Sequence, residues 1–467
     1  MPAEARSEGR QDRLTRIVFL IGLLLSVWLW SRSQVAGDQL NLLARGWLLT
    51  AEGQWVPYGL PTSAGGKAPG AFTSLLVGLP LAIWPHHRAP TLVILGCHLI
   101  VYLLLDRMLH RNLGSTARLL FAVVYWLNPW RLYHASFLWN PNYLLPLGGL
   151  SLWLFYRQKD RPRLFESFLL LASIGLAAQV HASVAALAIV AMLLWWRGYF
   201  RLHWGGVILA LAMVGVFLIP WAQAVLQDPS LLPQGAATNG RLAQSLHSAS
   251  RGLGYWLRYA ALVASSTMLC IDWPSLSSRL EAESVRHLLQ AVVGMLTVPV
   301  VLWSNVRLWI GSRGWWRRVT TGLDFHSWLV GTVRWSFLGA LLACAVSPTA
   351  VMSWQLLTVL HLAVMPLVLA GLDLARAGQT RLVLRGASMW TVLSLALTLI
   401  IGLGSPMFRC GGETCGAMNA DPPPLRSRHE MLDALGIQRT CAYELDVPFG
   451  WWPDVLPEHQ SAGSGPD

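Results

Sequence analysis

Charge is what this sequence has least of. Only 12% of its 467 residues are Asp, Glu, Lys or Arg, about half the share found in an ordinary soluble domain. Of its 35 basic residues, two are lysines, Lys67 and Lys159. Six cysteines in a chain this long exclude a scaffold built on disulfides. The sequence has no G-x-x-x-x-G-K-[ST] loop, which excludes P-loop nucleotide coupling. No internal repeat is visible, whereas many transporters are built from inverted repeats. What fills the chain instead is apolar: 54% hydrophobic residues, 25 of the total tryptophan, and several runs of about 20 residues, the length that crosses a bilayer. The formal net charge is +12, but the arginines are scattered between apolar runs. That pattern encodes membrane topology and excludes a nucleic-acid surface.

The fold class implied is an all-α polytopic integral membrane protein of about eleven transmembrane helices. The spans fall near 17–35, 90–106, 118–134, 143–156, 164–180, 181–196, 204–221, 288–304, 335–347, 355–372 and 387–404. Short cytoplasmic connections are rich in Arg and Lys. Placing the N-terminus inside collects Arg6 to Arg16, Arg107 to Arg118, Arg157 to Arg163, Arg197 and Arg201, Arg307 to Arg334 and Arg376 to Arg385 on one side. The C-terminus then lies outside, in the periplasm if the membrane is a bacterial inner membrane. Residues 1–37 also fit a signal peptide, with a charged start, an apolar core and small Ala36 and Gly37. The run 164–196 has basic clusters at both ends, so it must cross twice or fold back. Two passes of about 16 residues are short against a core of about 30 Å. The tip of the pair is "AAQVHAS", with Gln179 and His181.

On this layout residues 1–404 form the membrane domain, with outer loops 36–89, 134–142 and 222–287, and 405–467 form a polar, Pro-rich outer tail. "DQLNLLARGWLLTAEG" and "APGAFTSLLVGLPLAIW" in the first loop read as in-plane juxtamembrane helices. "GLGYWLRYAALVASSTML", with Tyr255, Trp256, Arg258 and Tyr259, reads as a third.

An N-terminal span, an acid opening an outer loop, and then Lys-x-Pro before an in-plane apolar segment ("GGKAPGAFTSLLVGLP") resembles the start of the GT-C glycosyltransferases. The branch resembled is that of the lipid A aminoarabinose transferases and protein O-mannosyltransferases, which carry Lys-Pro-Pro-Leu at that point. The stretch "LNPWRLYHASFLWNPNYLLPLGGLSLWLFYR" resembles the same family in layout, and the resemblance covers roughly residues 14–200. It implies an enzyme that takes a sugar from a polyprenyl-phosphate donor at the outer face and passes it to a lipid, glycan or protein acceptor.

That chemistry needs a carboxylate to take the acceptor's proton and a fixed cation for the departing phosphate. Asp38 is the expected base; it is also placed to start a helix over 39–51. Lys67 is the expected carrier-phosphate clamp, against the alternative of a nonspecific contact with lipid phosphates. Arg131 and His134 are expected to add charge, and Asn140 and Asn142 to hold sugar hydroxyls through donor and acceptor groups. Many family members have an acid where Asn140 and Asn142 stand, which puts a divalent metal in doubt and leaves the cofactor unknown. The competing reading of Trp139–Asn142 is a simple turn. Gln179 and His181 are polar residues in an apolar hairpin and become candidates on that account, beside the alternative of a paired structural histidine. Glu52, Asp272, Trp139 and Trp256 are lesser candidates for lining the site.

Cys97 and Cys344 read as packing residues. Cys270, Cys410, Cys415 and Cys441 fall on the oxidising side, where a disulfide in the tail is expected with its connectivity open. Two further function classes fit a polytopic chain: a transporter or flippase, and a non-catalytic membrane assembly protein.

Overall fold

A computed structural model describes residues 3–35, 38–61, 66–232, 241–269, 279–310, 323–349, 351–408 and 426–437. Cys270, Asp272, Cys410, Cys415, Cys441 and most of the expected tail lie outside these residues. The described residues form helices α1 (Ala3–Arg32) and α2 (Asp38–Ala51), strands β1 (Tyr58–Pro61) and β2 (Lys67–Pro69), then α3 (Phe72–Ile83), α4 (Ala89–Leu113), α5 (Ser115–Phe121), α6 (Pro129–His134), α7 (Leu144–Arg157), α8 (Leu164–Ala178) and α9 (Val184–Arg197). The second half holds α10 (Trp204–Gln227), α11 (Arg241–Ala260), α12 (Arg279–Ile310), α13 (Phe325–Ala345), α14 (Leu360–Ala363), α15 (Met365–Arg376), α16 (Thr380–Gly404) and α17 (Arg426–Ala434).

Among the described residues, seven helical segments are long and apolar enough to cross a bilayer: Gly9–Arg32, Ala89–Leu113, Trp204–Gln227, Glu283–Ile310, Phe325–Ala345, Ser353–Arg376 and Thr380–Gly404. Their exposed faces are apolar. On α10, Leu211 and Val216 are 66% and 63% exposed, and only Gly206 and Ala210 are buried. Such a surface is stable only against hydrocarbon, so the chain is an all-α polytopic membrane protein.

The other four of the eleven expected spans are shorter or broken among the described residues. The expected span 118–134 divides at Asn128–Pro129. There the Asn128 side chain accepts the Trp130 N–H at 2.9 Å and caps a new helix, with Pro at its first position. Helices α7, α8 and α9 have 14, 15 and 14 residues, which is roughly 21–22 Å each at 1.5 Å per residue. α8 and α9 are joined by a tight tip, as expected, but each packs mainly on another helix, α8 on α10 and α9 on α13.

Two groups of polar contacts mark the two ends of the bundle. At one end Arg118 pairs with Asp106 (2.9 Å) and Asp12 (3.4 Å), Arg157 with Glu166 (3.0 Å) and Arg307 with Asp373 (3.5 Å). At the other end, here called the cap end, the Gln34 N–H donates to Met407 O (3.0 Å), the His87 N–H to Leu435 O (3.1 Å) and the Trp30 indole to Arg88 O (3.4 Å). The two expected in-plane segments form α2 and α3 here, packed on each other and not laid singly on a surface. Leu40, Leu43 and Leu48 of α2 join Val77 and Leu81 of α3, Ile94 of α4, and Met431, Leu432 and Leu435 in a small core separate from that of the bundle.

Candidate functional site

Asp38 opens α2, and its carboxylate is held from across the cap: the Trp139 indole N–H donates to Asp38 Oδ2 at 3.0 Å. A hydrogen bond to a charged acceptor is worth about 1.5–3 kcal/mol, enough to fix the direction of a half-buried side chain. Trp139 stands on the turn between α6 and α7, extended at φ −160°, and is followed by one 3₁₀ turn, Asn140–Tyr143. The turn expected at Trp139–Asn142 is therefore present. Within it, buried Asn140 donates from Nδ2 to Val180 O at 3.2 Å, which ties the turn to the tip of the α8–α9 hairpin.

That tip seats the lysine segment. The Phe72 N–H donates to Gln179 Oε1 (3.4 Å), and the Thr73 hydroxyl donates to the Gln179 carbonyl (3.2 Å). Gly70 is required between them. Its φ is +92°, a conformation that disfavours side chains, and a Cβ there would lie 2.0 Å from Gln179 Oε1. Three residues earlier, Lys67 begins β2, which pairs antiparallel with β1 so that Pro61 faces Lys67. The Lys67 ammonium lies 5.9 Å from the centre of the Tyr58 ring, within the range of a cation–π contact.

Arg45 closes the circuit. Fully buried about two turns along α2 from Asp38, its guanidinium donates to the carbonyls of Tyr58 (3.4 Å) and Gly59 (3.1 Å) on β1 and to Asn41 O (3.1 Å). Contacts thus run from Asp38 through Trp139, Asn140, Val180 and Gln179 to the Lys67 segment, and back through β1 and Arg45 to α2. Four of the eight residues picked from the sequence, Asp38, Lys67, Asn140 and Gln179, belong to this ring.

His181 stands beside it at the hairpin tip, its Nδ1 2.5 Å from the Ser183 hydroxyl and accepting the Ser183 N–H at 3.2 Å. Burial holds its imidazole well below the usual range, at about 4. The remaining three lie behind the turn. His134 Nδ1 is 2.8 Å from Asn142 Oδ1, and Asn142 Nδ2 donates to Phe137 O at 2.8 Å. These two brace the turn from its buried side. Arg131 turns into the bundle: Nε donates to Trp126 O (3.1 Å), Nη1 to the Ser26 hydroxyl (2.9 Å), and the guanidinium lies 3.7 Å over the Trp126 ring.

Of the lesser candidates, Glu52 is exposed at the end of α2. Trp256 is buried and donates to Asn305 Oδ1 at 3.2 Å. Sequence reading missed Arg45 and Trp354. The lone basic residue of α2 was a usable signal for the first. Trp354, one of 25 tryptophans, carried none; its ring meets Trp139 at 5.2 Å and 61°. Among the described residues no group of three or more His, Cys, Asp or Glu side chains is gathered for a metal ion.

No family model matches the chain, and no curated protein matches it. Among solved structures the chain is similar to ArnT from Cupriavidus metallidurans bound to undecaprenyl phosphate, at 16% identity and TM-score 0.43 over 84% of this chain and 78% of that one. The apo form of the same protein gives 16% identity and TM-score 0.42 over 84% and 77%.

Proposed function

We propose that this chain is a membrane glycosyltransferase moving a sugar from a polyprenyl-phosphate donor to a lipid, glycan or protein acceptor at the outer face. The observation that supports this reading is the closed ring of contacts, which gathers an oriented carboxylate and one of the chain's two lysines at a single end of the bundle. Asp38 takes the proton of the acceptor hydroxyl. The acceptor oxygen then forms its bond to the sugar's anomeric carbon as the bond from that carbon to the phosphate oxygen breaks, and the electron pair leaves with the polyprenyl phosphate. Lys67 neutralises that leaving group. Trp139 occupies one carboxylate oxygen of Asp38 and so directs the other. Asn140, Asn142, Gln179 and His181 line or brace the site, and Arg131 and His134 contribute fixed polarity from behind the turn. The cap end faces outward in this reading, with the arginine-rich end in the cytoplasm.

The scarcity of lysine makes the clamp directly testable. Lys159 pairs with exposed Asp160 (3.0 Å), and such pairs contribute little, so Lys159→Arg leaves Lys67 as the lone lysine at little cost. Reductive ¹³C-methylation of that variant keeps the charge and gives one lysine resonance. Titration with undecaprenyl phosphate in detergent should shift this resonance saturably, while inorganic phosphate at the same concentration shifts it far less. An unmoved resonance at saturating lipid would overturn the clamp. In membranes, Lys67→Ala should lower transfer roughly tenfold to a hundredfold, the equivalent of one charge-assisted bond. Lys67→Arg should restore only part, because the two head groups differ in size and donor geometry.

A further inference from the structure

We infer that Trp354 and Trp139 form an aromatic corner that binds the donor sugar, and that Trp354 is the residue giving a sugar-loaded carrier its advantage over the bare one. The inference rests on the glycosyltransferase reading above. A monosaccharide has a polar rim and apolar C–H faces of slight positive charge, which complement the negative face of an indole. Two indoles at 61° and 5.2 Å present one face and one edge, and one of them carries the Asp38 carboxylate on its N–H at 3.0 Å. A sugar stacked in the corner therefore lies beside the base.

Trp354 differs in its setting from the tryptophans of the core and from those on the lipid-facing helices. Trp126, Trp130, Trp256 and Trp328 are fully buried. Trp204 and Trp303 are exposed on helices whose outer surfaces meet lipid, where tryptophan is common. Trp354 and Trp139 are half-buried at the junction of two short 3₁₀ turns, Ser353–Val359 and Asn140–Tyr143.

The Trp354 backbone is also fixed on both sides. The Tyr259 hydroxyl donates to the Ser353 carbonyl, Asn128 Nδ2 donates to the Tyr259 carbonyl at 2.9 Å, and Gln355 Oε1 accepts the Met352 N–H at 2.7 Å. Further along, Gly148 of α7 lets the chain pass so close that a Cβ there would lie 1.8 Å from Thr358 O. A ring carried on a backbone held this firmly and packed against Trp139 loses less freedom on binding, which is what a preformed contact surface requires.

The test compares binding of bare undecaprenyl phosphate with its glucosyl, mannosyl, galactosyl and aminoarabinosyl phosphodiesters in detergent. The wild type should bind at least one glycosylated form tenfold or more tighter than the bare carrier. Trp354→Ala should abolish that preference and leave bare-carrier affinity within twofold. Trp354→Phe should keep part of the preference, and Trp354→Leu, which has bulk but no π-face, should keep none. The leucine and phenylalanine variants decide the point if the alanine variant does not fold. Retention of the preference in Trp354→Leu overturns the corner, as does an equal loss for bare and loaded carriers or the lack of any preference in the wild type. Failure of the wild type to bind bare undecaprenyl phosphate defeats the donor reading itself, and this inference with it.

Discussion

Asp38→Asn separates three roles that Asp38 holds at once: helix start, partner of Trp139, and base. Asparagine begins helices about as well as aspartate, and its Oδ1 still accepts the Trp139 indole at the observed 3.0 Å. The bond drops from a charged to a neutral acceptor, a change of about 1 kcal/mol. The protein should therefore insert normally and melt only slightly lower. The base is lost outright, and general-base catalysis supplies about 10²–10⁴-fold, or roughly 3–5 kcal/mol of barrier. Transfer of labelled sugar from polyprenyl-phosphate donors in membranes should fall by that factor. Trp139→Phe removes the orienting bond and keeps an aromatic ring against Trp354, so its cost should be mainly that of the bond, about 1.5–3 kcal/mol, or tenfold to a hundredfold. In the Asp38→Asn background the same Trp139→Phe change should cost much less, because an effect exerted through Asp38 disappears with the carboxylate. Wild-type transfer by a well-folded Asp38→Asn protein would refute the base assignment. Full additivity of the two changes would refute the orienting role.

Gly70→Ala should cost several-fold in transfer, since its Cβ meets Gln179 Oε1 at 2.0 Å in a left-handed backbone; adding Gln179→Ala should recover part of the loss, and the absence of recovery would show that the tip does not seat the Lys67 segment. Gly148→Ala should lower stability by about 1–3 kcal/mol, because the added methyl meets Thr358 O at 1.8 Å; an unchanged melting temperature would mean that α7 shifts freely. His181 stays neutral in the fold down to about pH 4, whereas a free histidine titrates near 6.5. The unfolded tip therefore binds more protons in between, and stability that is complete above about pH 6.5 should fall as the pH drops toward 4, by about 1–2 kcal/mol. His181→Asn should flatten that slope in thermal melts; the part that remains belongs to groups such as His87, which burial also holds at about 4.

The membrane class, the positions of the seven long helices and the folded-back pair were legible because they depend on periodicity and composition, which are local. The broken span at Asn128–Pro129 was legible in principle, since Asn-Pro is a helix start, but the apolar run on both sides of it hid the break. Which polar residues meet was not legible. Asp38 and Trp139 are 101 residues apart, and Phe72 and Gln179 are 107 apart, and no spacing rule connects them. Arg131 shows the same limit from the other side. Its position in a polar-looking turn suggested a ligand, but its donors go to Trp126 and Ser26, because a helix that begins at Pro129 points its third residue back into the bundle.

The shortness of the α8–α9 pair follows from the same contacts. Two helices of 15 and 14 residues reach roughly 22 Å, well under a hydrocarbon core of about 30 Å. A polar Gln179 at their tip would be costly in lipid, but here its polar groups and those beside it are met by protein. It ends beneath the β1–β2 hairpin, where Phe72 and Thr73 donate to Gln179 and Asn140 donates to Val180. The missing length is thus occupied by the cap itself. A longer pair would push the Lys67 segment away from the Trp139 turn, and with it away from Asp38. The short pair and the ring of contacts at the cap end thus meet at one tip, residues 179–181.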